Sequence, residues 1–306
     1  MHDGLVAVDV ARSLVIYPAH DGYLRALDTA TGQLLWALQL CDTHLEQCDL
    51  EGGVTLGNGR AYHVSNDWLH AIVLDRTHPF ETWRFPRGEI AHGVATKPAV
   101  SGGTVFFGGF NWFWALDELT GAVIWWSRTS LSNFTYGFDI PHVSNNVVYA
   151  SASRSGYMKT IVTARDASTG ATFWEQTLPL GFAVKSSTSY GKLFLSYVEG
   201  PDQGGVVALD LATGRQLWKF DHVGTTRVGP INGGPAVVDN KVIVAGSDGN
   251  VYMLSQATGR PLWSFATGES MHSAVAVADG RFFIGAYKTF RAFGPLSRQV
   301  DASCAL

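Results

Sequence analysis

The chain has 306 residues, 46% hydrophobic and only 16% charged, with 34 glycines and 10 tryptophans, a turn-rich globular profile that excludes a disordered chain. Its formal charge of −4 comes without any Lys/Arg cluster, which argues against nucleic acid or an anionic membrane surface as a partner. No apolar run reaches the roughly 18 residues of a transmembrane helix, so membrane insertion is not expected.

In chain order, the opening MHDGLVAVDV reads as a strand and lacks a signal-peptide pattern. The protein is then intracellular, or secreted or periplasmic with a leader removed. Cys41 and Cys48 follow in one polar loop, as a disulfide or as two free thiols; with Cys304 they make no zinc site. Asn133-Phe134-Thr135 is a lone glycosylation sequon.

Six segments then align without gaps: LDTATGQLLW (27–36), LDRTHPFETW (74–83), LDELTGAVIW (116–125), RDASTGATFW (165–174), LDLATGRQLW (209–218) and LSQATGRPLW (254–263). Their tryptophans stand 42 to 49 residues apart, the period of propeller blades or stacked modules. Alternating stretches such as KVIVAG (241–246) and NVYML (250–254) have the two-residue period of strands. Asn-Gly and Asp-Gly pairs punctuate them and suit tight hairpin turns, and Thr-Gly after the aspartate supplies a second turn.

Each unit thus reads as four short antiparallel strands, with the tryptophan as a wedge between neighbouring units. A seventh unit, SAVAVA (273–278), RFFIGAY (281–287) and TFRAF (289–293), has no tryptophan, and its fourth strand must come from 295–302 or be missing. The expected fold is all-β: a seven-bladed β-propeller of four-stranded antiparallel blades. It forms a single domain over 1–306, with blades near 4–38, 52–85, 96–127, 138–177, 184–220, 233–266 and 273–302.

The pattern Ala-x-Asp-x-x-Thr-Gly-x-x-x-x-Trp, present as 26–36, 115–125 and 208–218, resembles the tryptophan-docking (PQQ-like) repeat of the quinoprotein alcohol dehydrogenase-like superfamily. The resemblance covers almost the whole chain and implies a propeller without implying an activity. The superfamily includes dehydrogenases that use pyrroloquinoline quinone (PQQ), scaffolds of outer-membrane assembly and sensor domains of kinases. Its PQQ enzymes usually have eight blades, adjacent bonded cysteines over the quinone, and calcium held by Glu, Asn and Asp. Here Cys41 and Cys48 are not adjacent, and Glu51 and Asn232 have no convincing catalytic aspartate beside them. No cofactor or metal is therefore expected, with PQQ plus calcium as the alternative.

Aligning the units on the turn after each innermost strand (58–59, 102–103, 145–146, 190–191, 239–240, 279–280) brings Glu51, Ala95, Phe138, Ala183, Asn232 and His272 to the start of that strand. The loops and next positions add His92, Lys97, Tyr136, Asp139, Lys185, Arg227 and Glu269. A mixed polar ring at a channel mouth suits binding or catalysis, or it simply holds water.

The candidate catalytic residues are Lys185, His272, His92, Glu51 and Asp139, because histidine shuttles protons near neutral pH and a lysine forced beside another cation turns basic. Phe134, Tyr136, Phe138, Lys97, Arg227 and Asn232 are candidate substrate contacts. Three functions compete. The favoured one is a cofactor-independent enzyme that cyclises, eliminates or isomerises a small, partly apolar molecule. The others are a non-catalytic protein-interaction scaffold and a PQQ-dependent dehydrogenase. The absence of a Gly-x-Ser-x-Gly elbow removes support for serine hydrolysis.

Overall fold

The computed structural model describes residues 6–19, 21–41, 53–65, 68–86, 97–109, 112–128, 135–138, 141–154, 159–286, 288–294 and 304–305. Local chemistry sets the strands. In all six turn pairs used for the alignment, Asn58-Gly59 through Asp279-Gly280, both residues have positive φ, as a two-residue type I′ hairpin requires. The strands on either side pair antiparallel, and no helix occurs among the described residues.

Seven four-stranded antiparallel sheets result, a seven-bladed β-propeller fold. Blade 1 is β1 (Ala7–Asp9), β2 (Leu14–Pro18), β3 (Tyr23–Asp28) and β4 (Leu34–Gln39). Blade 2 is β5 (Thr55–Gly57), β6 (Arg60–Val64), β7 (Trp68–Val73) and β8 (Phe80–Pro86). Blade 3 is β9 (Ala99–Ser101), β10 (Thr104–Gly109), β11 (Trp112–Asp117) and β12 (Val123–Arg128). Blade 4 splits its inner strand into β13 (Thr135–Phe138) and β14 (His142–Ser144), which precede β15 (Val147–Arg154), β16 (Lys159–Asp166) and β17 (Thr172–Leu178).

Blade 5 is β18 (Phe182–Ser189), β19 (Lys192–Val198), β20 (Gly204–Asp210) and β21 (Gln216–Phe220). A two-stranded hairpin, β22 (His222–Val223) and β23 (Thr226–Arg227), is inserted after it. Blade 6 is β24 (Ala236–Val238), β25 (Lys241–Ala245), β26 (Asn250–Ser255) and β27 (Pro261–Ala266). Blade 7 is β28 (Ala276–Ala278), β29 (Arg281–Gly285), β30 (Phe290–Phe293) and β31 (Cys304–Ala305). The fourth strand described is 304–305, with Cys304 opposite Ala292, whereas the expected segment 295–302 lies outside the described residues.

The chain divides into two compact units, 1–150 with 165–173 and 151–164 with 174–306. In the first, β1, β5, β9 and β14 lie side by side in sequence; in the second, β18, β24 and β28 do. The innermost strands are therefore neighbours, as the turn alignment required.

The repeat motif explains the seams. Each aspartate accepts from its own turn: Asp117 Oδ1 takes the Thr120 N–H at 2.8 Å and the Thr120 hydroxyl at 2.7 Å, and Asp28, Asp75, Asp166 and Asp210 do the same. These bonds hold the carboxyls below the usual carboxylate range, Asp28 and Asp75 to about 2. A β-bulge just before the tryptophan turns the indole toward the next blade.

There its N–H donates to the carbonyl after the next repeat's aspartate position: Trp83 to Glu118, Trp125 to Ala167, Trp174 to Leu211 and Trp218 to Gln256, at 2.9–3.1 Å. The Thr-Gly glycine of that repeat is the shelf beneath the ring. A Cβ at Gly121, Gly170, Gly214 or Gly259 would lie 2.5–2.8 Å from the docked indole, and φ there is near +70. Only glycine fits both conditions.

The second repeat departs from the pattern. Ala71 faces Trp83 across β7 and β8, two residues further along than the Ala26–Trp36, Ala115–Trp125 and Ala208–Trp218 pairs. The ungapped alignment hides this difference, and Trp36 accordingly donates to the carbonyl of Asp75 itself, at 3.1 Å. Trp263, facing the blade without a repeat motif, meets the edges of Phe282 and Phe293 at 6.2 and 6.0 Å instead of a glycine.

Candidate functional site

Three successive inner edges of the second unit come together. A β-bulge between Ala183 and Lys185 reorients β18, and the Lys185 side chain runs past Gly234, where a Cβ would sit 3.4 Å from the lysine Cβ and 3.6 Å from its Cδ. Beyond Gly234, a Cβ on Gly233 would strike the Ser273 carbonyl at 2.1 Å, so the two entry loops touch backbone to backbone. This close approach brings Asn232 against His272. The amide Nδ2 donates to His272 Nδ1 at 3.0 Å, and the neutral ring's Nε2–H then donates to Ser270 Oγ at 3.0 Å.

Lys185, Asn232 and His272 are therefore neighbours along the row, as the turn alignment anticipated. Asn232 and His272 do not open strands, however: β24 starts four residues after Asn232, and β28 four residues after His272. Glu269 is engaged within blade 7. Its carboxylate accepts from the Lys288 N–H at 3.0 Å and the Thr289 hydroxyl at 3.1 Å, and Arg291 lies at 3.5 Å. These partners lower its pKa and tie the β29–β30 loop to the blade.

Other candidates fall elsewhere. Arg227 is exposed on the 222–227 hairpin, opposite His222. Lys97 is half-buried, two residues ahead of β9 in the first unit. Tyr136 and Phe138 belong to β13, and Phe138 ends that strand instead of opening the innermost one, which continues in β14. Glu51, His92, Asp139 and Phe134 lie outside the described residues. Cys41 is disulfide-bonded, and its candidate partner Cys48 also lies outside them.

Sequence reasoning missed a polar cluster in blade 2. His63 and His70 face each other across β6 and β7, both buried. His70 Nε2 meets Ser65 Oγ at 3.0 Å, and its Nδ1 meets Glu81 Oε1 at 2.6 Å. Neither ring nitrogen of His63 has a hydrogen-bond partner within 3.5 Å among the described residues. Burial first, and then the neighbouring His70, lower its pKa to about 3; the nearby Gly53 backbone acts in the opposite direction. The signal available in the sequence was two histidines seven apart in strands that otherwise read as apolar.

The described residues hold no group of three or more His, Cys, Asp or Glu arranged to bind a metal. No helix among them is long and apolar enough to cross a membrane.

Comparison with known proteins follows the fold. Over 59 residues the chain is 41% identical to the lanthanide-dependent methanol dehydrogenase of Methylacidiphilum fumariolicum (strain SolV), a match covering 19% of this chain and only 9% of that enzyme. The solved structure of BamB from Moraxella catarrhalis superimposes with a TM-score of 0.71 at 21% identity, covering 94% of this chain and 82% of that one. The quinohemoprotein alcohol dehydrogenase ADHIIG of Pseudomonas putida HK5 gives 0.65 at 14% identity, covering 95% and 62%. At such identities these two likenesses speak for the fold alone. The family model described as outer membrane protein assembly factor BamB matches residues 20–196 and 202–296, most of the chain. With its repeats matched from end to end and its indoles docked blade on blade, the chain belongs to the PQQ-like β-propeller family of the outer membrane protein assembly factor BamB.

Proposed function

We propose that this chain is a non-catalytic, protein-binding propeller working outside the cytoplasm, and that it uses no quinone. The observation that carries the reading is the BamB family match over 20–196 and 202–296. It reverses the preference for an enzyme drawn from the polar ring alone. The chemistry of the inner row supports the change. Both nitrogens of His272 are engaged by Asn232 and Ser270, so the ring is held in place with no free lone pair for a substrate proton. Asn232, the amide a calcium–quinone site would use, is committed to that histidine, and the sequence has no adjacent cysteine pair. A quinone therefore fits these residues poorly. The Cys41 disulfide supports an oxidising compartment.

A small-molecule acid–base enzyme is the second reading, favoured by the lysine beside Gly234 next to the exposed His272. Thermal shift of the full chain with PQQ plus calcium and with a metabolite panel separates the readings. The scaffold predicts no shift in either arm, together with a stoichiometric complex with an envelope protein after cross-linking. A quinone- and calcium-dependent rise in Tm, or a turnover abolished by Lys185→Ala or His272→Ala in folded protein, would overturn it.

A further inference from the structure

In blades 1 to 6 the outermost strand ends its sheet among the described residues, and the residue just after the tryptophan faces solvent on it. That residue is Arg84, Glu175 and Lys219 in blades 2, 4 and 5, and Ala37 and Ser264 in blades 1 and 6. Charged or small side chains there discourage another chain from pairing with the edge. Blade 3 breaks the pattern with Trp126, which is 54% exposed; Val123 and Ile124 on the same strand are exposed as well, as Leu34, Phe173 and Leu262 are at the matching positions of blades 1, 4 and 6.

Trp126 is not an isolated ring. It stands 4.8 Å from Trp112 and 6.2 Å from Trp114, and Trp112 and Trp114 stack at 6.0 Å and 29°. Arg128 lies over the Trp112 ring, 5.5 Å from its centroid, exposed and without an ion pair among the described residues. A guanidinium held on an indole is pre-oriented for a carboxylate, and exposed Trp and Arg are the side chains that most often dominate protein interfaces.

We infer that β12 is the docking edge for an extended segment of a partner protein, which lays alternating apolar side chains along Val123, Ile124 and Trp126 and sets an acidic residue against Arg128. The inference rests on the scaffold reading and names its surface. An extended strand pairs with the outer edge of β12 while its side chains reach the indoles, and Arg128 fixes the sign of the partner's charge.

Two experiments on the full chain test it. The first measures anisotropy of a fluorescein-labelled ten-residue peptide alternating Val and Thr with one terminal Glu. Binding is expected to weaken at least tenfold in Trp126→Lys and in Arg128→Glu, and a Lys-terminated peptide should bind Arg128→Glu better than the original chain. Equal binding by all variants, or no peptide binding to the original chain, overturns the inference. So does dimerisation lost in Trp126→Lys, or preferential binding of an oligosaccharide, because either assigns the face to another occupant. The second places a photocrosslinking amino acid at position 126, 173 or 262 in exporting cells. A protein cross-link confined to 126 agrees with the inference. Cross-links only at 173 or 262 sink the β12 surface and leave the scaffold standing, whereas none at any position argues against the scaffold itself.

Discussion

The seam between blades 1 and 2 and the seam between blades 2 and 3 share a docked tryptophan and differ beyond it. Trp36 donates to the Asp75 carbonyl in one, and Trp83 to the Glu118 carbonyl in the other. Further along, blade 2 turns His63 and His70 toward blade 1, whereas blade 3 turns the equivalent pair, Phe107 and Trp114, toward blade 2. Phe107 packs on Phe85 at 5.9 Å and Trp114 on the same ring at 5.3 Å, while His63 is buried with neither nitrogen hydrogen-bonded within 3.5 Å among the described residues. The repeated positions build the seam, and the unrepeated ones are free to carry other chemistry at some cost in stability.

The largest effect should come from breaking the shared element. Trp36→Ala removes a buried indole and its hydrogen bond, for a loss of about 3–5 kcal/mol in denaturant unfolding. Trp83 is less buried, so Trp83→Ala should cost less; equal losses would mean that burial does not set the scale. Next comes the shelf. Gly121→Ala forces a Cβ to 2.8 Å from the Trp83 ring at φ +71, whereas Gly32, at φ +70, has open space. Gly32→Ala should cost about 1–2 kcal/mol from the backbone alone, and Gly121→Ala about 1–3 kcal/mol more.

The histidine pair gives a smaller, pH-dependent effect. With the folded pKa of His63 near 3 and the unfolded value near 6.5, the unfolded chain takes up the proton first as pH falls. Stability is then full above about pH 6.5 and declines toward pH 3, by about 2 kcal/mol between pH 7 and pH 5. His63→Phe, copying blade 3, should remove that part of the slope; an unchanged slope between pH 7 and pH 5 would assign it elsewhere.

The smallest effect per residue is the aspartate turns. Their lowered pKa values make their contribution complete above about pH 4 and lost as pH falls toward about 2, so unfolding at constant denaturant should steepen in that window. Asp117→Asn should flatten it slightly.

Much of this was legible in the sequence because the repeat is local chemistry. Aspartate, Thr-Gly and tryptophan each need particular neighbours in the chain, and the paired positive-φ turns fix the register of the inner strands. That is why Asn232 and His272 could be matched before any coordinates. The misses have non-local causes. The two extra residues between Ala71 and Asp75 keep the Asp–Trp spacing, so only cross-strand pairing reveals them. The fourth strand of blade 7 has no motif, and its pairing with Arg291 and Ala292 is long-range. Arg227 was drawn to the site by its position before Asn232, but it belongs to an inserted hairpin, exposed and paired with His222. Trp126 adjoins Trp125 in the sequence, and only burial separates a wedge from an exposed platform.

Those two adjacent residues offer the most direct test that repeat positions build the fold and departures from the repeat serve binding. Trp125 is buried, bonded to the Ala167 carbonyl at 2.9 Å and seated over Gly170; Trp126 points to solvent. Denaturant unfolding of Trp125→Ala and Trp126→Lys in parallel should show a loss of about 3–5 kcal/mol for the first and about 1 kcal/mol or less for the second. A tolerated Trp125→Ala, or a Trp126→Lys chain that unfolds as readily, would contradict the account.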